Sequence, residues 1–136
     1  MILIDTNIWA YYFDATLPEH EHVQQPLEST LKHQQACINT TIAIETLHYL
    51  VRRLGPLAGG DKGRIFLAYG VPLHILDANT ITLTHHKLCE HHHLGIGGRD
   101  ASLLATMSQH DIDTIMTHDQ AFKRVPGIKT NDPIPG

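Results

Sequence analysis

The chain has 136 residues, which is enough for one domain, so we predict a single domain over residues 1–136. Hydrophobic residues make up 42% of the chain and charged residues 18%, a composition typical of globular rather than disordered proteins. The formal net charge of −4 excludes a strongly basic protein that wraps nucleic acid.

Short apolar runs alternate with helix-like segments along the chain. The first half is predicted to form a strand, a helix, a polar loop, a helix, a strand and a helix, at residues 2–4, 7–14, 18–22, 23–34, 36–38 and 42–54. Residues 55–63 contain four glycines and a proline, which predicts a flexible connection. The second half is predicted to form a helix, a strand, two helices, a strand, a helical turn and a strand, at residues 62–69, 73–76, 79–93, 100–110, 114–116, 120–124 and 128–130.

Strands separated by helices predict the class of the fold. Such connections cross over in a right-handed sense and place successive strands parallel to one another. A parallel sheet is normally covered by helices on both faces. We therefore predict a three-layer α/β/α domain with a central parallel sheet of four or five strands.

Four acidic residues lie at the ends of these predicted elements. Asp5 follows the first apolar strand directly, and Asp119 comes shortly after the fourth. Asp100 opens a helix after a glycine-rich turn, and Glu45 lies near the start of the 42–54 helix, opposite its apolar stripe. Each aspartate taken alone is equally well explained as a helix N-cap. Glu45 faces either water or a cleft.

The four acids gain meaning together, because ligands of doubly wound sheets bind at the carboxyl ends of the strands. Carboxylates gathered there without Lys or Arg partners repel one another, and we expect no such partner. A divalent cation relieves this repulsion. Oxygen ligands favour the hard cations Mg²⁺ and Mn²⁺, so the pattern predicts an open metal site.

Four segments around these acids resemble the signature segments of PIN domains, and in particular of VapC-like toxin ribonucleases from prokaryotic toxin–antitoxin pairs. The resemblance covers nearly the whole chain, in the usual order and spacing. The segments are Leu3-Ile4-Asp5-Thr6-Asn7, Ile44-Glu45-Thr46-Leu47, Arg99-Asp100-Ala101-Ser102-Leu103-Leu104-Ala105-Thr106 and Met116-Thr117-His118-Asp119-Gln120-Ala121-Phe122.

The resemblance implies an endoribonuclease that depends on Mg²⁺ or Mn²⁺. Asp5, Glu45 and Asp100 would hold the first metal ion, and Asp119 would complete the site directly, through water or through a second ion. Polar side chains that would support these carboxylates are Thr6, Asn7 and Thr117. The resemblance also implies a homodimer and a small antitoxin that blocks the acidic cleft.

Basic side chains are few, and some of them must meet the phosphates of an RNA substrate. Arg99, beside Asp100, is the preferred contact with the substrate backbone, and a solvated surface arginine is the alternative. Further candidates are Arg52, Arg53, Lys62, Arg64, Lys123 and Arg124.

A histidine-rich stretch over residues 85–93 is a second possible metal site. His85, Cys89 and His92 are spaced to share one helix face, where they could bind Zn²⁺ or Ni²⁺, but no fourth ligand is evident. The two cysteines form no C-x-x-C motif, and no apolar run is long enough for a membrane helix. The first residues lack the basic and apolar regions of a secretory signal, so we expect none. We expect a cytoplasmic protein that does not bind membranes.

Three functions remain open at this point. The preferred one is a metal-dependent ribonuclease toxin. The first alternative is a PIN ribonuclease of RNA maturation or decay that has no antitoxin. The second is a catalytically silent PIN scaffold that binds RNA or protein, which the presence of all four acids disfavours.

Overall fold

A five-stranded parallel sheet organises the chain in a computed structural model that describes residues 1–136. The strands lie in the order β3–β2–β1–β4–β5. Their bounds are β1 Ile2–Ile4, β2 Ala36–Asn39, β3 Leu73–His74, β4 Thr114–Met116 and β5 Lys129–Asn131.

Five α-helices connect the strands, together with two short 3-10 helices at His92–Leu94 and Gln120–Arg124. The first helix packs against the second and third, and the fourth packs against the fifth, so two groups of helices cover the sheet. The predicted three-layer α/β/α fold is confirmed. The helices are α1 Thr6–Phe13, α2 His20–Lys32, α3 Thr40–Ala68, α4 Ala78–His91 and α5 Gly98–Gln109.

Strand β1 is the centre of the sheet. Leu3 pairs with Cys37 of β2 on one side and with Ile115 of β4 on the other. Because all the strands are parallel, the residues that follow β1 and β4 emerge side by side at one edge of the sheet. Asp5 follows β1 there, and its backbone N–H donates to the carbonyl oxygen of Met116, the last residue of β4, at 3.0 Å.

Helix α1 is held against the sheet by its aromatic residues. Trp9 is fully buried and lies edge-on to Phe66 of α3, with ring centroids 4.9 Å apart. Its indole N–H donates to the carbonyl oxygen of Ile4. These contacts fix the start of α1 directly beside Asp5.

The predicted flexible connection over residues 55–63 is wrong, because these residues are helical apart from a kink. Gly55 has a φ of 87°, in the left-handed region that favours glycine, and Pro56 starts a second helical segment that runs to Ala68. A Cβ atom on Gly59 would collide with the backbone of Leu50, so this segment folds back closely against the first one. Gly59 thus allows close packing and Gly55 allows the kink, so neither marks a flexible connection.

Other boundaries differ from the predictions by a few residues. The predicted polar loop over 18–22 is partly helical, because α2 begins at His20. The predicted strand over 73–76 is shorter, and the 79–93 helix ends at His91. None of the helices combines the length and the apolar composition that crossing a membrane requires.

Candidate active site

An open cleft of about 440 Å³ lies at the carboxyl ends of β1 and β4. All four predicted acids line it, and each comes from a different part of the chain. Asp5 joins β1 to α1, Glu45 lies in the second turn of α3, Asp100 in the first turn of α5, and Asp119 after β4. The topology therefore brings together residues that are far apart in sequence.

Asp5 is the most buried of these acids, with a side chain only 1% exposed. It is the N-cap of α1, where its Oδ1 accepts a hydrogen bond from the Thr6 backbone N–H at 2.7 Å. Its Oδ2 accepts from the hydroxyl of Thr117 at 2.7 Å. Capping and a role in the site are thus not alternatives for this residue, because its two oxygens face different partners.

Arg99 lies among the acids, contrary to the expectation that they have no basic partner. Its guanidinium donates to Asp5, to Asp100 Oδ1 at 2.9 Å and to both carboxylate oxygens of Glu45 at 2.9 and 3.2 Å. The expectation was wrong because Arg99 lies in the first turn of α5 and turns back into the cleft. An arginine favoured as a phosphate contact is therefore engaged with three carboxylates.

The electrostatics of the cleft suit a divalent cation. Burial raises the pKa of Asp100, and the neighbouring carboxylates of Asp119 and Asp5 raise it further, while Arg99 opposes them. One monovalent arginine therefore leaves the repulsion among these acids only partly relieved. The donor set consists of carboxylate oxygens, which are the ligands of hard cations, so the residues fit Mg²⁺ or Mn²⁺.

The acids are nevertheless spread around Arg99 and do not form a ready coordination shell, since no group of three His, Cys, Asp or Glu side chains is close enough to hold a metal ion. A cation shared by Asp5, Glu45 and Asp100 would therefore have to displace the guanidinium and draw these carboxylates together. The same finding covers the histidine-rich stretch, where His85, Cys89 and His92 do not come together.

The three polar residues predicted to support the acids all contact the site. The Thr6 hydroxyl donates to Glu45 Oε1 at 2.9 Å. The Asn7 side-chain amide donates to the Thr117 hydroxyl oxygen at 3.3 Å, and the same oxygen accepts from the Asp119 backbone N–H at 3.0 Å. Thr117 thus links the loop after β4 to the carboxylate after β1.

Replacing Thr117 by valine should lower the affinity for divalent cations about 10- to 100-fold, as losing the hydrogen-bond partner of a metal ligand generally does. Valine keeps the shape of this fully buried side chain but removes the hydroxyl that orients Asp5. Isothermal titration with Mn²⁺ measures the change. Thr117→Ser, which keeps the hydroxyl, is the matched control. A valine variant that binds Mn²⁺ as tightly as the serine variant would contradict this role.

Tyr49 is a residue of the cleft that the sequence did not single out. Tyr11 and Tyr49 line the cleft beside the acids. The Tyr49 hydroxyl donates to Asp14 Oδ2 at 3.3 Å, which fixes the ring at the rim. The available signal was helical spacing, since Tyr49 comes four residues after Glu45 and therefore shares its face of α3.

Comparison with known proteins identifies relatives over almost the whole chain. A sequence model of the PIN domain matches residues 2–128. Ribonuclease VapC13 of Mycobacterium tuberculosis is 26% identical over 132 residues, which cover 95% of this chain and 98% of the relative.

Solved structures share the fold at lower identity. VapC20 of Mycobacterium tuberculosis, described as a toxin that cleaves the sarcin-ricin loop, superposes with a TM-score of 0.80 at 22% identity and covers 95% of this chain and 98% of its own. The DNA-bound VapBC of Salmonella typhimurium gives a TM-score of 0.77 at 18% identity, over 98% of this chain and 100% of its own.

Proposed function

The chain belongs to the PIN domain family, and on that premise we propose that it is an endoribonuclease that hydrolyses RNA phosphodiester bonds as the toxin of a toxin–antitoxin pair. The observation that carries the proposal is the meeting of Asp5, Glu45, Asp100 and Asp119 in one cleft. A relative named as a VapC ribonuclease, matched over 95% of this chain, supports it. We assign the activity to one domain over residues 1–136.

We assign Mg²⁺ or Mn²⁺ as the cofactor. Asp5, Glu45 and Asp100 would hold the ion, and Asp119 would complete the site. When bound, such an ion lowers the pKa of water and withdraws charge from a phosphoryl oxygen. The four acids would determine where the ion, and therefore the phosphoryl oxygen, is held. Thr117 fixes the orientation of Asp5.

Asp119 is suited to accept the proton of the attacking water. Its Oδ1 accepts from the Ala121 backbone N–H at 2.9 Å, while Oδ2 has no hydrogen-bond partner and Arg99 does not contact it. As water oxygen bonds to phosphorus, its proton passes to Asp119 Oδ2 and the bond from phosphorus to the 3′ oxygen breaks. The products are a 5′-phosphate and, once solvent protonates the leaving oxygen, a 3′-hydroxyl.

An antitoxin is the proposed protein partner. Solved structures with this fold include toxins in complex with their antitoxins, among them the VapBC assembly of Salmonella typhimurium. We propose that the antitoxin covers the acidic cleft, that the protein is a homodimer and that it acts in the cytoplasm. Light scattering of the purified protein tests the dimer.

A cleavage assay tests the ribonuclease. Purified protein is incubated with structured and single-stranded RNAs in Mg²⁺ or Mn²⁺, and the ends of the products are mapped. We expect cleavage that EDTA abolishes and added Mn²⁺ restores. Absence of cleavage from every RNA tested, with either ion, would favour the silent scaffold instead.

The antitoxin is tested separately. We expect co-expression with the product of a small neighbouring reading frame to suppress both cleavage and growth arrest. An active nuclease without such a neighbour would favour the PIN ribonuclease of RNA maturation or decay.

A further inference from the structure

The acidic cleft has no basic side chain that is free to contact an RNA phosphate, because its arginine, Arg99, is hydrogen-bonded to carboxylates. Most other basic side chains are also paired with carboxylates or carbonyl oxygens. Four have no hydrogen-bond or ion-pair partner, namely Lys32, Arg52, Lys62 and Lys87. Of these, Arg52 alone lines a cavity that adjoins the acids.

Arg52 shares a helix face with the acidic cleft. Glu45, Tyr49 and Arg52 occupy positions i, i+4 and i+7 of α3 and therefore lie on one side of the helix. With a rise of about 1.5 Å per residue, Arg52 lies about 10 Å along the axis from Glu45. The face thus leads from the acids to a free guanidinium further along the helix.

Tyr49 connects the two cavities, because it lines both of them. One is the acidic cleft, and the other is a depression of about 430 Å³ lined by Leu17, Tyr49, Arg52 and Arg53. The depression is therefore a continuation of the cleft.

A buried carboxylate holds the far wall of this depression in place. Asp14 is 2% exposed, and its Oδ2 accepts from the Tyr49 hydroxyl at 3.3 Å and from Arg53 Nε at 3.1 Å. Burial raises the pKa of Asp14, but hydrogen bonds from Thr16 and from Arg53 outweigh burial and keep the pKa below its usual range. Arg53 is thus paired with Asp14, whereas Arg52 is exposed and has no hydrogen-bond or ion-pair partner.

We propose that Arg52 and Tyr49 form a subsite for the nucleotide next to the scissile phosphate, with Arg52 on its phosphate and Tyr49 as the wall between that phosphate and the acids. This subsite rests on the ribonuclease proposal and adds the path that the RNA strand takes across the surface. A phosphate contact positions the strand and carries no base preference. The subsite therefore adds affinity for RNA without selecting a particular base sequence.

Binding of a labelled single-stranded RNA, followed by fluorescence anisotropy over a series of KCl concentrations, tests the subsite. The Asp5→Asn protein serves as parent, so that the RNA stays intact. In this background Arg52→Gln should weaken binding about three- to tenfold at low salt and reduce the slope of log affinity against log salt by about 0.7, the value for one lost phosphate contact to a single strand. Lys62, named above as a candidate phosphate contact, lies on the same helix but outside both cavities, so Lys62→Gln removes one positive charge and should change neither quantity.

RNA cleavage gives a second readout, measured with Arg52→Gln and Lys62→Gln in protein that keeps Asp5. Arg52→Gln should raise KM and leave kcat nearly unchanged, as expected for a contact made equally in the ground state and the transition state. Because Arg52 is exposed and makes no hydrogen bond or ion pair, the thermal unfolding of Arg52→Gln should match that of Lys62→Gln. An Arg52→Gln protein that matches Lys62→Gln in affinity, salt slope and KM overturns the subsite. So does a variant that loses only antitoxin binding, since the surface then serves the protein partner.

The same experiments separate this subsite from the ribonuclease itself. If the unsubstituted protein cleaves no RNA and the Asp5→Asn parent binds none, both proposals fail. If the unsubstituted protein cleaves RNA and Arg52→Gln behaves like Lys62→Gln, the subsite fails and the ribonuclease stands.

Discussion

Replacing Asp5 or Asp100 by asparagine should lower cation-dependent RNA cleavage by at least about 100-fold, since even the loss of an outer partner of a metal ligand costs 10- to 100-fold. Each change removes one negative charge from the cleft and replaces a carboxylate oxygen with an amide N–H₂ that cannot bind a cation. Asparagine is nearly isosteric, and at position 5 its side-chain oxygen can still cap α1.

The fold of both variants should survive, and this separates a catalytic role from a structural one. Circular dichroism and thermal unfolding measure the fold, and initial rates of RNA cleavage in Mn²⁺ measure the activity. Asp61→Asn is the matched control, because Asp61 is an exposed carboxylate paired only with Arg64. Full activity in purified Asp5→Asn or Asp100→Asn protein would refute the assigned site.

Arg99→Gln should have two opposite effects, which follow from its place among the carboxylates. In protein stripped with EDTA, the variant should unfold more easily, by about 1–3 kcal/mol, because three acids lose their counter-charge. Breaking a fully buried ion pair costs about 3–5 kcal/mol, and the smaller figure reflects the 31% exposure of the Arg99 side chain.

The second effect is tighter binding of divalent cations. Arg99 and a cation compete for the same oxygens, so the apparent dissociation constant equals the intrinsic one divided by the fraction of molecules in which the guanidinium leaves these oxygens free. If Arg99 holds the acids in about nine molecules of ten, its removal raises the affinity about tenfold. Isothermal titration with Mn²⁺ measures this, and the stabilisation of the variant by Mn²⁺ should exceed that of the unsubstituted protein.

Two further variants make this test specific. Arg64→Gln removes an exposed arginine that contacts only Asp61 and should bind Mn²⁺ like the unsubstituted protein. Arg99→Lys keeps the charge but cannot reach three carboxylates with one planar fork, so its affinity should fall between those of the unsubstituted protein and the Arg99→Gln variant. An Arg99→Gln protein that binds Mn²⁺ no more tightly than Arg64→Gln would refute competition at these oxygens.

The fold could be predicted well where the hydrophobic pattern alone decides it. Short apolar strands alternating with amphipathic helices predicted the parallel sheet, because no other arrangement buries both faces of such strands. The pattern failed at residues 55–63, where glycine and proline normally interrupt helices. There the low helix propensity of glycine is outweighed by packing, because the backbone of Leu50 leaves no room for a side chain at position 59. This contact is tertiary, so the local sequence pattern does not reveal it.

The four acids could be predicted for a similar reason, since each marks the end of an element and the sheet topology brings those ends together. The place of Arg99 could not. A charged side chain next to Asp100 could point either into solvent or into the cleft. Only the side-chain conformation seen in the structure shows that Arg99 points into the cleft. Tyr49 was overlooked because an aromatic residue on a helix usually packs in the core.

The central position of β1 delays the assembly of the acidic cleft until most of the chain exists. Asp5 receives its hydrogen bond from Thr117 across 112 residues, and that bond requires β4 to be inserted beside β1. A growing chain that has formed only β1 and β2 holds Asp5 and Glu45 but neither Asp100 nor Asp119. Closing so long a loop is also among the slower steps of folding. On the proposed assignment of the site, a nascent chain therefore holds only part of its acidic cluster until β4 has been synthesised and inserted beside β1.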